Sequence, residues 1–168
     1  MKIITSAILI FFQLAVTAQI NNKVTNVEFK ALVGSWTGTA VNTVFINGQN
    51  QVILAVTLEV IDLKDSLQLN FIYTEAGGKQ FTEKNSLYIY DNGGKLSFDS
   101  AQFDIAEIRR RGVRLSIYAE RPGYENYKPV DFQDILLIGP GILNITKGIR
   151  ADDAVDFAIR KRLTLTKK

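Results

Sequence analysis

From Trp36 to Thr166, apolar residues recur at every second position in short runs, and turn-forming residues separate the runs. Val52, Leu54, Val56, Leu58 and Val60 make one run, Leu67, Leu69, Phe71 and Tyr73 the next, and Val113, Leu115 and Ile117 a later one. A period of two is the mark of a strand with one face buried. Asn47-Gly48 and Asn92-Gly93-Gly94 supply residues that accept positive φ in tight hairpins. Lys64-Asp65, Gly77-Gly78, Gly112 and Gly139-Pro140-Gly141 break the other runs. Short connections make neighbouring strands antiparallel, and closure of the sheet removes its sticky edges. The pattern predicts an all-β chain, a closed up-and-down antiparallel β-barrel of roughly 8–10 strands with a short N-terminal helix plugging one end. A β-sandwich is the competing architecture, and the absence of long crossovers argues against it.

The helix is read from its caps. Thr25-x-x-Glu28 has the spacing of a capping box, with Val24 and Phe29 at the hydrophobic staple positions. Gly34 stands where a C′ glycine ends a helix. A helix over residues 26–33 is expected, with Val27, Ala31 and Leu32 facing inward.

The stretch Phe29-Lys-Ala-Leu-Val-Gly34-Ser35-Trp36, a helical turn ending in Gly-x-Trp, together with a last strand carrying Arg160 and Arg162, resembles the calycin superfamily, the lipocalin-like barrels. The resemblance implies that Gly34 and Trp36 open the first strand. It also implies that a basic side chain from the last strand covers the indole, Arg160 and Arg162 being the candidates with Arg162 preferred. A guanidinium over Trp is a common structural contact, so Trp36 is read as a plug rather than a ligand-stacking group.

Residues 1–18 have the layout of a secretory signal peptide. Met1-Lys2 is positive, Ile3–Val16 is largely apolar, and Val16-Thr17-Ala18 offers small residues for cleavage. The run is shorter than the ~20 residues of a spanning helix. Residues 19–168 then form the barrel domain, secreted or periplasmic after cleavage near Ala18, with no membrane span in the mature form. The chain has no Cys, so its core must stabilise it without disulfides, and 46% hydrophobic residues supply one. It has no His, which removes Ser-His-Asp and Cys-His nucleophiles, His-ligated metals and haem held by a proximal His, as some ten-stranded calycin relatives hold it. The net charge of +3 is mild and spread out, which speaks against nucleic acid as a partner. No phosphate-binding loop is present. Asp152, Asp153 and Asp156 read as a solvated acidic turn rather than a metal site. No cofactor is expected.

Several polar residues fall on apolar faces. Glu107 and Arg109 continue the alternation of Phe103 and Ile105, Asp134 precedes Leu136, Glu83 and Asn85 lie between Phe81 and Leu87, and Asn144 follows Ile142. Two accounts are open. In one the barrel interior is partly polar, and Arg109 pairs there with Glu83, Glu107 or Asp134 or holds a ligand's carboxylate. In the other a strand bulge turns these groups to solvent. Arg121–Pro129, with two Tyr, one Gly and two Pro, is a candidate lid. Residues 151–158 read as a turn followed by a strand, with a helix as the alternative.

The resulting expectation is a barrel that binds a small apolar or amphipathic molecule. Phe71, Phe81, Leu87, Phe98, Phe103, Leu115 and Leu136 line its interior, and Glu107, Arg109, Asp134, Glu83 and Tyr73 supply polar contacts. An alternative, resting on fold analogy, is a lyase or isomerase using interior Glu107, Arg109 and Tyr73 or Tyr118. A third is association with another protein or a second copy through Ile53, Ile61 and Ile72 on outer faces.

Overall fold

The computed structural model describes residues 23–44 and 50–168, so the expected signal peptide and the Asn47-Gly48 turn lie outside the described residues. Helix α1 (Asn26–Lys30) precedes ten strands: β1 (Gly34–Val44), β2 (Asn50–Asp62), β3 (Leu67–Thr74), β4 (Gln80–Tyr90), β5 (Lys95–Phe98), β6 (Ala101–Arg111), β7 (Arg114–Glu125), β8 (Lys128–Gly139), β9 (Ile142–Ala151) and β10 (Ala158–Lys167). Each strand pairs antiparallel with the next, and β10 returns to pair with β1, closing an up-and-down barrel. The alternating residues point into a single core that includes Leu54, Val56, Leu58, Leu69, Phe71, Ile117, Leu136, Ile145 and Leu165.

The capping box forms. Thr25 Oγ1 accepts from the Glu28 amide at 3.3 Å, and Glu28 Oε2 accepts from the Thr25 amide at 2.8 Å. The helix is shorter than residues 26–33, because the Leu32 and Val33 amides turn back to the carbonyls of Phe29 and Lys30 and tighten its end. Phe29 and Leu32 are buried, whereas Val27 and Ala31 face solvent, contrary to expectation. Arg110 on β6 fastens the helix to the wall through Glu28 (2.6 Å) and the Lys23 carbonyl (2.8 Å).

Trp36 plugs this end. Its ring is buried, and its Nε1 donates to the Leu32 carbonyl at 2.8 Å. The cation over the indole is Lys167, with Nζ 5.3 Å from the ring centre, and not Arg160 or Arg162. The antiparallel register decides this: Trp36 pairs with Lys167, while Arg162 pairs with Val41 farther along β1. Gly34 has φ +123°, open to glycine and strained for other residues. Gly38, two residues past Trp36, lets β1 and β10 approach, since a Cβ there would run into the Thr164 carbonyl.

Residues 121–129 form no lid. They continue β7 and β8 as a tight hairpin, in which Asn126 and Tyr127 both take left-handed φ (50° and 64°). Pro122 and Pro129 fit because each stands past the end of one neighbouring ladder: β6 pairs with β7 only as far as Asp104 and Glu120, and β9 with β8 only as far as Ala151 and Val130. Residues 152–157 form a turn and irregular lead-in before β10.

Candidate functional site

Two bulges decide which polar residues enter the barrel. In β6 the register shifts between Ile105 and Glu107, so that Ile105 faces Ala119 but Glu107 faces Tyr118. The extra residue reverses the alternation, and Ile108 becomes the buried side chain. Glu107 and Arg109 therefore stand on the outer face instead of in the interior. They form a two-pronged ion pair there (2.6 and 2.7 Å), with the Arg109 guanidinium over the Tyr118 ring. The guanidinium holds the Glu107 carboxyl below the usual range, the reverse of what a general acid needs. The second bulge, between Ile159 and Lys161 in β10, turns Ile159 outward and Lys161 inward, in phase with Leu163 and Leu165. Asn144 also faces out, flanked by buried Leu143 and Ile145.

Inside, Asp134 (β8), Lys147 (β9) and Lys161 (β10) are successive cross-strand partners that form one inward-facing rung. From it, Lys161 reaches across the lumen. Its Nζ donates to the Tyr73 hydroxyl at 2.8 Å and lies 3.4 Å from Glu83 Oε2. Asn85 fixes Glu83 with a hydrogen bond of 2.7 Å. Tyr73 stacks between Phe71 and Phe81. Burial, followed by the nearby Glu83 charge, pushes the Tyr73 phenol well above the usual range. Lys147 lies 3.1 Å from Asp99 Oδ2 and 3.8 Å from Asp134 Oδ2, with its Nζ over the Phe98 ring. This polar layer roofs the apolar core, whose side chains fill the plugged end of the lumen.

Above the layer the wall is incomplete. Among the described residues, β4 pairs with the short β5 only through Leu87–Tyr90, and β6 and β7 part beyond Glu120. A cleft of about 240 Å³ occupies this mouth, lined by Phe98, Phe103, Arg121, Phe132, Asp134 and Lys147, with Glu125 and Arg160 among its other walls. The Arg121 guanidinium is sandwiched between Phe132 (4.1 Å) and Phe103 (5.3 Å). Its Nε is buried with no hydrogen-bond partner among the described residues, and so is Asp134 Oδ2. Asp134 is 3% exposed. Burial raises its carboxyl to about 6 against the pull of Lys147. Arg160 closes one side through Glu125 at 2.8 Å.

Of the residues singled out in the sequence, Asp134 and Phe103 meet in this cleft, and Tyr73 and Glu83 meet at Lys161 in the layer beneath. Phe71 and Leu115 are buried in the core, and Leu115 also borders a hollow beside α1 at the plugged end. Sequence reasoning missed Lys147, Lys161 and Arg121. The signal for the two lysines was present, since Lys147 keeps phase with Leu143 and Ile145, and Lys161 with Leu163 and Leu165.

No family model matches the chain, and no curated protein matches it in sequence. Among solved structures, the crystal structure of Rv2717c from M. tuberculosis is similar, with a TM-score of 0.60 and 16% identity over 83% of this chain and 94% of that one. At that identity the likeness is one of fold: the chain is a ten-stranded antiparallel β-barrel structurally similar to Rv2717c.

Proposed function

We propose that this chain is a lipocalin-like binding barrel that takes a small amphipathic molecule at its mouth rather than deep in its lumen. The carrying observation is the pair of buried polar atoms, Arg121 Nε and Asp134 Oδ2, left without hydrogen-bond partners among the described residues in the wall of one aromatic-lined cleft. Buried donors and acceptors are ordinarily satisfied, and a head group that accepts from Arg121 and donates to Asp134 would satisfy both. A primary amide has that pair of groups, whereas an ionised carboxylate can only accept. The ligand's apolar body would lie against Phe98, Phe103 and Phe132, and a cleft of about 240 Å³ suits a single-ring compound. The apolar N-terminal run of residues 1–18 supports action outside the cytoplasm after its removal.

Calorimetric titration with benzoate, benzamide and toluene tests this reading. It expects benzamide to bind and both benzoate, which cannot donate to Asp134, and toluene to bind far more weakly, and it expects Arg121→Leu to abolish the difference. Equal binding of all three to the wild-type chain would refute a polar mouth site. A second reading, self-association through the outer face of β2 and β3, is supported by Ile53 and Ile72, which are 63% and 40% exposed. Sedimentation of the wild-type chain and of Ile53→Lys distinguishes it.

A further inference from the structure

We propose that Lys161 is a nucleophilic amine that captures small aldehydes or ketones as an imine, with Tyr73 as the hydrogen-bond donor to the carbonyl and Glu83 as its proton-handling partner. The assignment rests on how these side chains are placed. Lys161 is drawn into the lumen by the β10 bulge, and its side chain is 21% exposed, so it is enclosed yet reached by solvent. A phenol lies 2.8 Å from its nitrogen and a carboxylate 3.4 Å away, and Asn85 pins that carboxylate. Lys147 faces it from the adjacent strand, and Asp99 lies on the far side of Lys147. A lysine with a second cation beside it and little water around it is the arrangement that favours the neutral amine. Burial does lower the Lys161 ammonium below the usual lysine range; Glu83 opposes this and Lys147 adds to it. A simple structural ion pair with Glu83 would need neither the opposing lysine nor the phenol.

The chemistry balances with water as the sole by-product. The ammonium first loses its proton to solvent. The amine nitrogen then bonds to the carbonyl carbon, while the carbonyl oxygen accepts a hydrogen bond from the Tyr73 hydroxyl and a proton from solvent. Glu83 takes a proton from nitrogen and returns one to the departing hydroxyl, the C–O bond breaks, and a C=N bond remains. No oxidant or reductant is consumed.

Propanal is the probe, used at a concentration below that of the protein, at pH 7, with cyanoborohydride to reduce any imine to a stable secondary amine. Peptide mass spectrometry then locates the adduct. The expected result is several-fold higher occupancy at Lys161 than at exposed Lys64, Lys79 and Lys84, with the preference abolished in 8 M urea. Tyr73→Phe is expected to slow labelling of Lys161 several-fold while labelling of Lys64 stays unchanged. Thermal melting of that variant shows whether it is folded, and Glu83→Gln offers a second test of the same effect should it not be. Labelling of Lys161 at or below the level of the exposed lysines in the folded wild-type chain would overturn the proposal, as would a preference for Lys147.

Discussion

Lys147 and Lys161 stand directly opposite each other on β9 and β10, both turned into the barrel. Like charges on facing strands are unfavourable, and the structure answers them from the flanks. Asp99 and Asp134 draw Lys147 to one side, and Glu83 with Tyr73 draws Lys161 to the other. This split gives the lumen its two polar centres, the cleft around Asp134 and the amine beneath it.

Asp134 is expected to cost stability at neutral pH. Its folded-state pKa of about 6 lies above the ordinary 3.8, so the folded chain holds its proton more tightly than the unfolded chain does. That contribution is complete below about pH 4 and is lost as pH rises through about 6, a change of about 2–3 kcal/mol. Asp134→Asn is therefore expected to be more stable than the wild type at pH 7.5, with the gain shrinking toward pH 4. Urea melts of both proteins across that range measure it, and a gain independent of pH would contradict the assignment.

Glu28 has the opposite sign. Its hydrogen bonds to Arg110, and then those to Thr25, outweigh burial and hold its carboxyl near about 2 instead of 4.5. The stability it gives is present above about pH 4.5 and fades as pH falls toward 2. Arg110→Ala is expected to destabilise the fold by about 1–2 kcal/mol at pH 7. At pH 2.5 most of that difference should have gone, which acid and neutral denaturation curves will show.

Gly38 is required by the approach of β1 to β10 rather than by its backbone torsion. A methyl group there meets the Thr164 carbonyl and the Leu165 Cα. Gly38→Ala is expected to cost about 2 kcal/mol or more, whereas Gly77→Ala, where a Cβ meets nothing, should be close to neutral. Thermal melts of the two variants make the comparison.

The barrel was legible because its signals are local. Leu54 through Val60 and Leu67 through Tyr73 alternate without interruption, and the capping box at Thr25 and Glu28 lies within four residues. The site was less legible because a bulge adds one residue without any compositional mark. Glu107 and Arg109 follow Phe103 and Ile105 in perfect alternation, yet the bulge places them outside. Phe157 and Ile159 likewise lead in perfect alternation to Lys161, yet a second bulge separates Ile159 from it. Lys167 over Trp36 depends on the pairing register of β1 with β10, which joins residues more than a hundred positions apart and leaves no trace in either strand alone.

The central claim is that ligand binds at the mouth, above the polar layer, and not within the packed core. Backbone amide NMR during titration with benzamide tests it most directly. The account predicts that shifts concentrate at Phe98, Asp99, Phe103, Arg121, Phe132 and Asp134, while Trp36, Phe71 and Leu115 stay fixed. Shifts centred on Phe71 and Leu115, with the mouth unmoved, would contradict it.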